Sequence, residues 1–190
     1  MRRRADVEMT ITKPLPDLHG ESLTLRPLGT QDAAAMYNAL ADPEAMRLTG
    51  THGHFTAAAV HSFCASLDAE EDRVDYAVYL HGADHSSGEI VLNDIDADNR
   101  SANFRTALYG SSNFGRGIGS EAIPLVLAYG FDAIGLHRIE LEVFDFNLRA
   151  RHLYQKLGFE QEGIKRDALC WQGVFHDAIV MSLLAPDFRR

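Results

Sequence analysis

Between Phe104 and Val143 the chain reads FRTALYGSSNFGRGIGSEAIPLVLAYGFDAIGLHRIELEV, and this stretch decides the fold class. Phe104 to Tyr109 has strand character, and Gly110 to Ser120 is a glycine-rich turn. Ile118, Ala122, Leu125 and Tyr129, spaced 4, 3 and 4, then share one face of a helix. Ile123, Leu127, Ala128 and Phe131 fill its other faces, so the helix is expected to be almost wholly buried. Pro124 deletes a backbone donor inside it and predicts a kink, at a cost of ~3 kcal/mol unless packing compensates. In Arg138 to Val143 the apolar side chains Ile139, Leu141 and Val143 take every odd position, the signature of a half-buried strand. Strand, buried helix, strand implies a parallel pair with a right-handed crossover.

Upstream of this unit, Tyr76 to Leu80 and Ile90 to Leu92 flank the turn-rich His81 to Gly88 and read as a hairpin. Asp94 to Arg100 is a polar turn. Leu23 to Arg26 alternates as a first strand, and Thr30 is placed to cap a helix over Gln31 to Ala41, which Asp42-Pro43 ends. A second helix is expected from a Thr56 cap through Val60, Phe63 and Leu67. Downstream, Asn147 opens a short helix that closes before Gly158, and strands follow near Phe159 to Ile164 and Ala178 to Leu184. The class is mixed α/β (α+β), with a mostly antiparallel sheet. Residues 1–21, interrupted by Pro14 and Pro16, read as a tail; 22–186 form one domain, and 187–190 a short C-terminal tail.

The chain has 190 residues, 46% of them hydrophobic and 24% charged, which suits one globular domain with a real core. No apolar run approaches the ~20 residues of a membrane-spanning helix. The net charge of −9 disfavours phosphate backbones and anionic lipid, so neither nucleic acid nor membrane is an expected partner. Cys64 and Cys170 match no metal or redox spacing and read as two free thiols. No apolar stretch follows Arg2-Arg3-Arg4, so the reading is a cytoplasmic protein.

The chemistry is expected at the start of the buried helix. Three alternate glycines, Gly115, Gly117 and Gly119, let the backbone approach a ligand, and Arg116 adds a mobile cation. Free amides at a helix N-terminus favour an anion, here a phosphate or pyrophosphate. A Walker loop would need Lys where Arg116 stands, and a dinucleotide fingerprint would need G-x-G-x-x-G where the chain has G-x-G-x-G. A tight turn whose glycines serve packing alone also fits. A second element bears on this: Asn147, Ala150 and Tyr154, spaced 3 and 4, place an amide, a small residue and a phenol on one helix face. Tyr154 is equally readable as a core aromatic.

Taken in order, the motifs Leu23-Thr24-Leu25-Arg26-Pro27-Leu28, Gly115 to Ala122, Leu136 to Leu141 and Asn147-x-x-Ala150-x-x-x-Tyr154-x-x-x-Gly158-Phe159 resemble the GCN5-related N-acetyltransferase (GNAT) family. The likeness is to its RimJ/RimL-like, ribosomal-protein-acetylating branch, and it spans about Ser22 to Leu184. It implies a sheet splayed between two parallel central strands, with helices on both faces and acetyl-CoA in the gap. Gly115, Arg116, Gly117, Ile118, Gly119 and Ser120 would hold the pyrophosphate, backbone at Leu108 and Tyr109 the pantetheine arm, and Asn147 and Ala150 the same ligand. Tyr154 would protonate the departing sulfur as an amine attacks the thioester directly; an ordinary phenol pKa of ~10 suits that role. The partners implied are acetyl-CoA and an amine acceptor, a protein N-terminus or a small amine. A non-catalytic acyl-CoA sensor and a nucleotide-phosphate-binding protein are the alternatives.

Two positions depart from the family pattern. Phe114 stands where Gln or Arg is usual, and Asn103, Phe104 and Arg105 stand where some members carry a carboxylate base. The amine's proton would then leave through water to Asp94 or Asp96, residues that also suit turn capping. The histidines at 52, 54, 61, 81 and 85 lack the carboxylate or Cys companions of a metal site, so no metal is expected. The segment around His52 would border the acceptor pocket, Glu140 and Glu142 would face solvent, and Trp171 would close the end of the core. The sequence sets no oligomeric state, and a dimer is compatible with it.

Overall fold

The computed structural model describes residue 9 and residues 11–188. Its strands are β1 (Leu18–His19), β2 (Leu23–Pro27), β3 (Val74–Leu80), β4 (Gly88–Asp96), β5 (Ser101–Leu108), β6 (Arg138–Phe144), β7 (Glu160–Trp171) and β8 (Val174–Leu184). They form one sheet in the order β1-β2-β3-β4-β5-β6-β8-β7, in which only β5 and β6 run parallel. The parallel pair is short. Ser101, Ala102 and Asn103 lie beside Arg138, Ile139 and Glu140, and pairing ends there. Beyond Asn103 the two strands diverge, and the edge of β5 facing β6 is left open.

Helices cover both faces: α1 (Ala33–Ala39), α2 (Pro43–Thr49), α3 (Ala57–Ser66), α4 (Ile118–Ala128), α5 (Leu148–Lys156) and α6 (Ala185–Phe188). The larger core lies under α4. There Ala122, Ile123, Val126 and Leu127 bury against Leu92, Ile139 and Leu141 of the sheet. Each such aliphatic side chain contributes ~1.5–3 kcal/mol of burial free energy. A smaller core lies on the opposite face, where α1 and α3 cover Ala77 and Tyr79. Alternation along β6 assigns its faces as expected: Ile139, Leu141 and Val143 are buried, while Glu140 and Glu142 project to the other side.

Several local expectations hold and several are corrected. Thr56 caps α3 by accepting from the Ala59 amide at 3.1 Å. Gly158, at φ +94°, follows α5 as its left-handed residue. α4 runs unbroken through Pro124 and passes into a π-helical turn at Tyr129–Ile134. Only one side of it is fully buried; Leu125 and Tyr129 are half-exposed. Thr30 caps nothing: Thr30–Asp32 is a 3-10 turn, and the Asp32 carboxylate accepts from the Gly29 amide at 3.1 Å. The dipeptide Asp42-Pro43 does more than end α1, because Asp42 accepts from the amides of Glu44 and Ala45 and starts α2, a helix the sequence reading omits.

Part of the segment read as a tail belongs to the fold. Leu15 is buried, β1 pairs with β2, and the Pro16 carbonyl accepts from the Tyr76 hydroxyl. Arg2 to Arg4 lie outside the described residues. At the other end the Phe188 ring packs tilted against that of Phe131, 5.2 Å between centres. Trp171 closes no core; it sits at the β7–β8 turn with its ring 5.1 Å from that of His52.

Candidate active site

Two cavities meet at the divergence of β5 and β6. The first, of about 340 Å³, is walled by the turn from Asn113 to Ser120, by α5 and by α2. The second, of about 740 Å³, lies between the α1–α3 side of the sheet and the far ends of β5 and β6. Ala45, Leu48, Thr106, Leu108, Asn147 and Tyr154 border both, so the two spaces are continuous at this point.

The glycine turn is shaped as an acceptor of anions. Gly115 and Gly117 adopt φ of +72° and +82°, conformations that favour glycine, and Gly117 is the N-cap of α4. Among the described residues, none accepts a hydrogen bond from the amides of Gly115 to Ser120. These donors therefore line the first cavity at the positive end of α4. Gly119 is held by packing, since a Cβ there would lie 3.0 Å from Leu153 on α5. Ile118 supplies its amide while its side chain enters the core. Arg116 is exposed and donates to Asn113 at 3.2 Å. A second cation was missed: the Arg149 guanidinium lies 4.2 Å above the ring of Phe114 and lines the same cavity. Phe114, the departure from the family pattern, thus positions an arginine beside the phosphate turn.

Pairing along β5 decides which backbone groups face the gap. Tyr109 donates its amide to Ser87 at 2.8 Å, and antiparallel alternation turns Leu108 and Thr106 away from β4 toward the open side. Leu108 has the orientation expected of it. Tyr109 does not: its carbonyl also accepts from Asn113 at 2.6 Å, so both of its backbone groups are engaged within the protein. Thr106 is the residue that shares the geometry of Leu108.

Asn147 caps α5 with its side-chain oxygen on the Ala150 amide at 3.2 Å, which leaves its side-chain NH2 toward the cavities. Tyr154 is buried, edge-on to Phe104 with ring centres 6.0 Å apart and close to Phe159 at 5.8 Å. Its hydroxyl forms no hydrogen bond to another described residue. Burial pushes its pKa up, so it stays protonated at neutral pH.

The second cavity holds groups the sequence reading did not single out. Arg73 makes a double ion pair with Asp75 at 2.6 and 2.7 Å, and the Tyr109 hydroxyl donates to Glu89 at 3.0 Å. Desolvation raises the pKa of Glu89, against a smaller opposing pull from Arg105. Glu140 and Glu142, expected to face solvent, sit at the cavity rim, paired with Arg138 and Lys165. Asp94 and Asp96 border neither cavity. Asp96 accepts from Asn99 across its turn, and Asp94 accepts from Asn93 and Asn103. Asp96 thus caps its turn, Asp94 is bound by two side-chain amides, and neither is placed to act as a water-relayed base in these cavities. Thr51 and Phe55 line the second cavity while His52 does not. Among the described residues no three His, Cys, Asp or Glu side chains converge to hold a metal ion, and Cys64 and Cys170 are free.

The splayed sheet with its parallel central pair, the glycine turn after one strand and the tyrosine helix after the other are the features that the resemblance to acyltransferases of the GNAT family implies. Residues 22–160 match the model of the acetyltransferase (GNAT) domain, and the chain belongs to that family. It is 29% identical to an uncharacterized N-acetyltransferase, p20, of Bacillus licheniformis over 90% of this chain and 97% of that one. It is also 29% identical to spermidine N(1)-acetyltransferase of Escherichia coli K12, over 54% of each. Among solved structures, Mycobacterium smegmatis RimJ in complex with CoA-disulfide superposes with a TM-score of 0.78 at 26% identity, covering 92% and 88% of the two chains.

Proposed function

We propose that this chain transfers the acetyl group of acetyl-CoA to a primary amine by direct attack, with the coenzyme in the first cavity and the acceptor in the second. The observation that carries this reading is the meeting of the two cavities at Tyr154. One is a row of unengaged amides suited to a diphosphate; the other is a larger pocket suited to an acceptor.

In this reading the amides of Gly115 to Ser120, with Arg116 and Arg149, fix the diphosphate. The open edge of β5 at Thr106 and Leu108 pairs with the pantetheine amides, and Asn147 and Ala150 close the other wall. Binding energy from these remote groups goes into orienting the thioester. A neutral amine attacks the carbonyl carbon, the C–S bond breaks and the Tyr154 hydroxyl protonates the thiolate as it leaves, while the proton shed by the acylated nitrogen passes to solvent, from which the phenolate is reprotonated. A buried phenol with a raised pKa is a reservoir of that proton at neutral pH. Likeness to RimJ and to spermidine acetyltransferase supports an amine acceptor without choosing between a protein N-terminus and a small molecule. A cytoplasmic location fits a described structure in which no helix is long and apolar enough to cross a membrane.

The test is ligand-dependent stability followed by turnover. CoA at a hundredfold excess over Kd should stabilise the fold by ~2.7 kcal/mol, and ATP should not. Thiol release from acetyl-CoA should then depend on an added amine. Stabilisation by ATP alone would favour a nucleotide-binding protein, and CoA binding without thiol release on any amine would make it a sensor.

A further inference from the structure

The second cavity carries information about the acceptor. Four carboxylates border it: Asp75, Glu89, Glu140 and Glu142. Asp75 is matched by Arg73 and Glu142 by Lys165, while Glu140 shares Arg138 with Glu162. Glu89 makes no direct ion pair among the described residues, Arg105 of the same cavity attracting it only at longer range, and its one hydrogen bond, from the neutral Tyr109 hydroxyl, engages only Oε2. Its Oε1 accepts nothing from a described residue. Glu89 faces Ala107 across the β4–β5 register, one strand from the point where the two cavities join. The space above it is walled by Met36, Leu40, Met46, Phe55, Val60 and Phe63.

From this we infer that Glu89 receives the acceptor's ammonium group on entry, that the group then releases one proton to solvent and attacks as the neutral amine, and that the acceptor bears a single positive charge on an apolar body. The inference rests on the acetyl-transfer reading and deepens it. One unmatched carboxylate at the inner wall satisfies one cation. A second ammonium on the same molecule would meet methionine, leucine and phenylalanine side chains in place of a free carboxylate, or would have to displace Arg73, Arg138 or Lys165 from its partner. Burying an uncompensated charge is among the most costly events in recognition. The apolar wall instead rewards a hydrocarbon body in proportion to the area it covers. A polyamine is thereby disfavoured. A free alkyl- or aralkylamine and a peptide N-terminus with a large apolar first residue present the same chemistry.

The experiment compares kcat/KM for hexylamine, 2-phenylethylamine, a tetrapeptide beginning with leucine, and spermidine, with acetyl-CoA saturating. At least one of the first three should exceed spermidine by about tenfold or more, the expected return of burying an apolar body. Which of the three leads distinguishes a free amine from a peptide. Spermidine as the preferred acceptor would overturn the inference while leaving acetyl transfer intact; failure of CoA to bind would remove both. Glu89→Gln keeps an acceptor for the Tyr109 hydroxyl but removes the charge. It should raise KM for the preferred amine by about tenfold, the difference between a charged and a neutral hydrogen bond, with the KM for acetyl-CoA unchanged. An unchanged amine KM, or equal losses toward both substrates, would overturn the assignment of Glu89.

Discussion

The two halves of the site are made of different material. The proposed coenzyme half is chiefly main chain: the amides of six consecutive residues and the open edge of one strand, with the Arg116, Arg149 and Asn147 side chains beside them. The proposed acceptor half is side chain, drawn from α1, α2, α3 and from strands β3 to β8, with residues as distant as Met36 and Lys165 on one surface. Backbone donors do not change with the residue they belong to, so they suit a ligand that never varies. Side chains can be exchanged one at a time on a fixed sheet, so they suit the partner by which relatives of one fold differ. Tyr154 belongs to both halves, and substitutions there and on either side of it separate their contributions.

The largest effect is expected at the junction. Tyr154→Phe retains the ring that packs on Phe104 and Phe159 and deletes only the hydroxyl. Steady-state kinetics should show kcat reduced by about a hundredfold or more, the usual contribution of a positioned acid. Affinity for CoA, measured by calorimetry, should be unchanged. Equal losses in kcat and in CoA affinity would mean that the tyrosine serves packing in the coenzyme half.

A smaller effect is expected from the backbone of the coenzyme half. A Cβ at Gly117 meets no atom within 4 Å, so Gly117→Ala tests conformation with no steric contribution. Holding alanine at φ +82° costs ~1–2 kcal/mol, which should appear as a CoA affinity roughly tenfold weaker or as the same loss of stability. The KM for the amine should stay as it was. A variant indistinguishable from wild type in both stability and CoA affinity would show that the turn relaxes before it binds.

This difference in material also explains what could be read in advance. The main-chain half is local in sequence. The alternation at Ile139, Leu141 and Val143, the spacing of Ile118, Ala122 and Leu125, and the three glycines each declare themselves within a dozen residues. The splay of the sheet and the opposition of Asn147 and Tyr154 to the turn came from the resemblance, and the geometry agrees with it. The side-chain half has no such signature: Glu89 reaches Tyr109 across a hairpin, and Asp75 meets Arg73 on a strand that reads as uniformly buried. Helix α2, which walls both cavities, was legible and overlooked. Asp42-Pro43-Glu44 is an N-cap followed by proline at the first helical position, and Gly50 ends the helix at φ +64°. The Tyr109 backbone turns toward β4, away from the gap, because strand parity depends on a register that no local pattern fixes. Phe114 gave no sign that Arg149 would lie over it.

The smallest expected effect concerns the scaffold beneath the acceptor half. Arg138 of β6 reaches across β8 to Glu162 of β7 with contacts of 2.8 and 2.6 Å, and Ser182 donates to the same carboxylate at 2.7 Å. Chiefly through Arg138, these bonds hold the Glu162 carboxyl down to about 2, against an ordinary value of 4.5. A carboxylate whose pKa is lower in the folded state binds fewer protons there than in the unfolded chain. Its contribution to stability is therefore complete above about 4.5 and is lost as the pH falls from there toward 2. The Glu162 side chain is 44% exposed, so solvent screening reduces the contribution to the few tenths up to ~1 kcal/mol usual for surface pairs. Urea unfolding of wild type and Glu162→Gln should differ by that amount at pH 7 and converge as the pH approaches 2. Because the pair ties strands together on the side away from the glycine turn, CoA affinity should be the same in both proteins. A gap that widened on acidification would mean that Glu162 is held protonated in the folded state, and that Arg138 draws its stability from Glu140 instead.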